Sequence, residues 1–109
     1  LGPEGGAHQS IGTPLIGMGQ PGVIYYEPAF ADELALMLEE AFRRMQAADG
    51  GSTYLRLTTR SIAQEKRADE RWREGALKGG YWLRPPAPGA EAAIVATGAL
   101  LPEALQAWE

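Results

Sequence analysis

The sequence has no cysteine and a single histidine, His8. The missing thiols exclude a disulfide framework, thiolate metal sites and a cysteine nucleophile. One imidazole with no thiol leaves only carboxylates as further ligands, so a metal centre is not supported. No apolar run approaches the roughly 20 residues that a membrane-spanning helix needs, and no secretory leader pattern is visible. Basic residues are in deficit, ten against fourteen acidic, for a formal net charge of −4. Nucleic acid and anionic membrane want clustered Lys and Arg, so neither is an expected partner. There is no phosphate-loop string, and no nucleophile elbow. Gly17-Met18-Gly19 precedes a predicted strand, whereas a dinucleotide fingerprint follows one.

What is present suits a small packed domain. Hydrophobic residues make up 45% of the 109, enough to bury a core. The chain opens on Leu1 rather than Met and closes on Trp108-Glu109 inside a predicted helix, so a piece of a longer protein is expected.

Residues 1–22 are rich in Gly and Pro and read as loop, with a short helical turn near Thr13–Ile16. Val23-Ile24-Tyr25-Tyr26, bounded by Gly22 and Pro28, reads as a buried strand. Ala29 to Ala47 is the clearest helix, with Leu34, Leu38, Ala41, Phe42 and Met45 as its apolar stripe. Asp32 and Glu33 in the first turn and Arg43 and Arg44 near the end complement the helix dipole. Thr53 to Thr59 reads as a second strand, and strand–helix–strand predicts a parallel βαβ unit.

The stretch Ser61 to Leu77 is dense in charge and reads as an exposed connector with a helical turn or two. Trp72 within it is expected to be exposed and to mark an interface. Tyr81 to Arg84 and Ala92 to Thr97 read as two further strands, and a helix is expected from Pro102. Tyr25, Tyr26, Tyr54, Tyr81 and Trp82 are expected in the core.

Two residues carry candidate chemistry. His8 lies in a Gly-rich loop and titrates near neutrality, so it is able to move a proton or orient an oxygen. On spacing alone, a solvated histidine with no role is the simpler reading. Arg60 follows the second strand, where open parallel sheets bind ligands. Its guanidinium suits a carboxylate or phosphate, although pairing with a nearby acid is the simpler reading here too.

The order of five short strings adds a resemblance. Glu4-Gly5-Gly6-Ala7-His8-Gln9, Pro28-Ala29-Phe30-Ala31-Asp32-Glu33, Leu57-Thr58-Thr59-Arg60, Lys78-Gly79-Gly80-Tyr81-Trp82-Leu83 and Ala96-Thr97-Gly98 resemble, in order, strings of the thiamine-diphosphate-dependent transketolase superfamily. Tyr26-Glu27-Pro28-Ala29-Phe30-Ala31 and Glu39 to Met45 are most similar to its homodimeric pyruvate dehydrogenase (acetyl-transferring) subunit. Arg60 departs from that subunit and matches transketolase.

The resemblance implies an α/β fold. Residues 1–60 would end a pyrimidine-binding domain, 61–78 would be a linker, and 79–109 would start the transketolase-type C-terminal domain. It implies thiamine diphosphate and Mg²⁺ as cofactors, held by motifs outside this segment, and a cytoplasmic homodimer serving glycolytic carbon. The implied activity is decarboxylation of pyruvate, a 2-oxoacid, with acetylation of the lipoyl domain of an acyltransferase component. The segment alone is expected to be inactive. The resemblance also makes His8 the catalytic candidate for proton transfer to substrate or lipoyl sulfur, with Glu4 and Arg60 as substrate-binding residues. Ketol transfer between sugar phosphates and a non-catalytic α/β interaction module are the alternatives.

Overall fold

A computed structural model describes residues 12–108. Helix α1 (Thr13–Met18) has Pro14 in its first turn, where the fixed φ is tolerated. Strand β1 (Val23–Tyr26) follows, then α2 (Ala31–Met45), then β2 (Ser52–Leu55). The strands pair in parallel, Val23 opposite Ser52 and Tyr26 opposite Leu55. Backbone bonds from Ser52 to Gly22 at 3.1 Å and from Arg56 to Tyr26 at 2.9 Å extend the ladder at both ends. The β–α–β unit expected from the sequence is therefore present, with β1 and α2 where periodicity put them, but β2 stops at Leu55 and the expected extension through Thr59 is irregular chain.

Helix α3 (Trp72–Lys78) occupies the charged connector, and a 3-10 turn (Gly98–Leu100) leads into α4 (Leu101–Trp108). The described residues thus form a small mixed α/β fold with a two-stranded parallel sheet and four α-helices. Gly79 ends α3 at φ +107, a left-handed position that a side chain disfavours.

The core is a cluster of Tyr26, Leu36, Met37, Trp72 and Ala76, with Ile24, Leu55, Leu77 and Tyr81 packed on it. Three sequence expectations are corrected here. The buried face of α2 is Glu33, Leu36, Met37 and Ala41. Of the expected stripe, Ala41 is buried and Leu34 and Leu38 are half-buried, while Phe42 and Met45 are exposed. The two arcs lie one residue apart, about 100° of rotation, and α3 packing on α2 selects between them. Trp72 is buried, so it is a core residue and not an exposed interface residue. Neither 81–84 nor 92–97 is a strand among the described residues. No backbone-to-backbone hydrogen bond joins either segment to a partner among the described residues, and a strand exists only through its ladder. Val95 and Trp82 are accordingly exposed.

Candidate functional site

The carboxyl ends of the two parallel strands carry a polar rim. Glu27 follows β1, and its carboxylate accepts hydrogen bonds from the Tyr25 hydroxyl and, at 3.3 Å, from Arg56 Nη1 just past β2. Burial and the Glu27 carboxylate push the Tyr25 hydroxyl above its ordinary pKa. Thr97 Oγ1 donates to the Glu27 carbonyl at 3.1 Å, tying the C-terminal segment to the strand tips. Gly98 then passes so close that a Cβ there would sit 2.6 Å from Glu27 Oε1, at φ +56. Thr97 and Gly98 are thus held against β1 by geometry that only glycine fits comfortably.

Arg60 lies in the exposed chain after β2. Its Nη1 donates to Glu103 Oε1 at 2.6 Å and to the Ala99 carbonyl at 3.1 Å. The Arg60 guanidinium holds the Glu103 carboxyl below its usual range. Arg60 therefore joins the strand ends to the start of α4, which is the ion pair with a neighbouring acid anticipated from the sequence. His8 and Glu4 lie outside the described residues.

Beside this rim runs an open cleft of about 750 Å³, lined among others by Glu27, Met37, Tyr81, Trp82, Val95 and Trp108. Its lining is predominantly apolar, with Glu27, Glu33, Tyr81, Arg84 and Thr97 as polar points. Mostly apolar concavities with a few convergent polar groups are where small ligands bind.

The wall of the cleft holds a cluster that sequence reasoning missed. Arg67 meets both oxygens of Asp32, Nε to Oδ2 at 2.7 Å and Nη2 to Oδ1 at 2.9 Å. Nη2 also reaches Glu33 Oε1 at 3.1 Å, and Nη1 donates to the Tyr81 hydroxyl at 2.7 Å. That hydroxyl in turn donates to Glu33 Oε1. The guanidinium lies 4.4 Å from the Trp72 ring centre, 4.9 Å from that of Phe30 and 5.3 Å from that of Tyr81. Burial is the strongest single influence and works against the Arg67 charge, but the hydrogen bonds to Asp32, Tyr81 and Glu33 together outweigh it and its pKa rises. Reciprocally, Arg67 holds the Asp32 carboxyl below its ordinary range. Burial, then the hydrogen bond to Glu33, pushes the Tyr81 hydroxyl well above its ordinary value.

Glu33 does double service. Its Oε2 accepts from the Ala29 and Phe30 amides at 2.8 and 3.3 Å, capping an α2 N-terminus whose N-cap residue, Phe30, has no side-chain oxygen. The sequence marked Asp32 and Glu33 only as dipole-compatible, Arg67 as solvated and Tyr81 as strand core. The available signal was that Phe30, Trp72 and Tyr81 each stand near charged residues, the composition of a cation–aromatic cluster.

Among the described residues, no group of three or more His, Asp or Glu could hold a metal ion. Asp32 and Glu33 are already engaged by Arg67, so the donor set does not fit Mg²⁺ or a diphosphate. No helix in these residues is long and apolar enough to cross a membrane.

The pyruvate dehydrogenase E1 component of Mycolicibacterium smegmatis is 33% identical to this chain over 108 residues. The alignment covers 95% of this chain and 12% of that protein. The chain is thus distantly related to an E1-type enzyme component and spans a small part of its length. No family model matches, and no solved structure matches.

Proposed function

We propose that this chain is a segment of a thiamine-diphosphate-dependent 2-oxoacid dehydrogenase subunit that decarboxylates pyruvate and acetylates a lipoyl group. The observation that carries this reading is the likeness to the E1 component along nearly the whole chain. The parallel β1–β2 pair agrees with it, since ligands of such sheets gather beyond the carboxyl ends, and Arg60 lies in the chain that continues from there.

In this reading residues 1–60 complete a pyrimidine-binding domain and 79–109 begin a C-terminal domain, joined by 61–78. Residues 72–78 are then more than a tether, because Trp72 and Ala76 pack in the core. The cofactor and Mg²⁺ bind through groups beyond the described residues. His8 serves proton transfer near the substrate, and Glu4 contacts a polar substrate group. The working unit is a cytoplasmic homodimer, and its macromolecular partner is the lipoyl domain of an acyltransferase component.

A second reading is ketol transfer between sugar phosphates. Arg60 favours it, as a guanidinium at the strand ends suits a phosphate. The full-length protein, loaded with thiamine diphosphate and Mg²⁺, discriminates the two. Pyruvate-dependent acetylation of a lipoyl domain is the expected result. Turnover of a ketose phosphate alone would establish the second reading, and inactivity toward both would overturn both. In the same assay His8→Ala is expected to depress acetyl transfer more than cofactor binding.

A further inference from the structure

The guanidinium of Arg67 is held as a ligand is held. Three aromatic rings surround it, a carboxylate meets it edge-on with two parallel bonds, and a second carboxylate and a phenol take further N–H groups. Its side chain is only 13% exposed. Every wall of this enclosure except Trp72 comes from outside residues 57–72: Phe30, Asp32 and Glu33 from the start of α2, and Tyr81 from beyond α3. The stretch that delivers Arg67 has no regular secondary structure between Leu55 and Trp72. It is otherwise pinned near this point by two polar contacts, the Asp32 amide donating to Gln64 Oε1 at 3.4 Å and Arg84 Nη2 donating to Glu65 Oε2 at 2.8 Å.

We propose that Phe30, Asp32, Glu33, Trp72 and Tyr81 form a monoalkylguanidinium site that the chain fills with its own Arg67. The loop from 61 to 71 is thereby a tethered ligand, and Arg67 is the side chain that clasps it to the cleft wall. The chemistry selects a guanidinium over an ammonium. A planar fork is needed for the two bonds to Asp32, and a delocalised, weakly hydrated cation is needed among the rings. An ammonium offers a compact, strongly hydrated charge that meets one carboxylate oxygen well and the rings poorly. Because Tyr81 and Glu33 also line the cleft, an empty site leaves that wall without its cross-link.

The test uses the full-length protein with Arg67→Ala, which deletes the tethered cation and keeps the enclosure. Methylguanidinium is the probe and methylammonium the control, each at about 10 mM, where a millimolar site is mostly filled. The expected result is a lowered thermal midpoint in the variant that methylguanidinium raises and methylammonium does not. Wild type, its site occupied, is expected to show no selective rise. Adding Asp32→Asn to the variant is expected to remove the effect. Equal responses to the two cations, the same rise in wild type, or a rise that survives Asp32→Asn would each overturn the proposal. Should Arg67→Ala not fold unaided, refolding yield replaces the midpoint. Selective recovery with methylguanidinium then supports the site, and no recovery overturns it.

Discussion

Arg67 and Asp32, 35 positions apart, are joined by two parallel hydrogen bonds of 2.7 and 2.9 Å. This bidentate pair ties the irregular loop after β2 to the first turn of α2. Through Tyr81 and Glu33 it also reaches the cleft wall. Neither partner is fully exposed, so the pair is screened less than a surface ion pair and its geometry is stronger.

The first prediction concerns Glu33, which is buried and serves the two amides just before α2, Arg67 and Tyr81 at once. Glu33→Ala strips a cap and leaves Arg67 short of a partner, so it is expected to cost about 3 kcal/mol, the scale of breaking a buried pair. Glu33→Gln keeps acceptor and shape and is expected to cost less. Denaturant unfolding of both variants measures the difference.

Stability is expected to fall away at both ends of the pH scale through the same cluster. Asp32 has a depressed pKa in the folded state. Its contribution is present above the ordinary aspartate range and is lost as pH falls through the lowered value. Tyr81 has a raised pKa. Its contribution is complete below the ordinary tyrosine value near 10 and is lost as pH climbs through the raised one. Midpoint against pH is the measurement. Asp32→Asn should flatten the acid limb, and Tyr81→Phe the alkaline limb.

Trp72 and Trp82 should behave oppositely. Trp72 is 9% exposed within the core, and truncation to Ala is expected to cost about 4 kcal/mol. Trp82 is 62% exposed, and its truncation should fall within about 0.5 kcal/mol of neutral. Calorimetric midpoints of the two variants, side by side, check the contrast.

A side chain at Gly98 is expected to be destabilising, chiefly through the left-handed backbone there. At φ +56, with Glu27 Oε1 in the way, Gly98→Ala should cost about 2 kcal/mol and loosen the Thr97 contact to β1. Hydrogen exchange at residues 97–101 would register the loosening. Arg60→Ala, by contrast, should leave the unfolding midpoint unchanged, since both partners of its ion pair are about half exposed.

How much was legible beforehand follows from the range of the interactions involved. β1, α2 and β2 were readable because their signals are local: a β-branched and aromatic run, apolar spacing, acidic and basic residues at the proper helix ends, and glycines between. That Arg60 follows the second strand was readable for the same reason, although β2 stops at Leu55 and not at Thr59. The Arg67 cluster was not, because a charged residue in a charged run looks solvated until something folds over it. His8 and Glu4 rest on resemblance alone, outside the described residues.

The amino-acid order by itself determined the α/β character and the parallel pairing of β1 and β2 across α2, since periodicity and turn chemistry act over a few residues. Only the tertiary structure decided which arc of α2 is buried, that Trp72 is inside, and that 81–84 and 92–97 stay unpaired. Those outcomes depend on which surfaces meet across 20 to 70 positions of chain, and no local pattern encodes the partner that a helix face, a strand edge or a guanidinium finally finds.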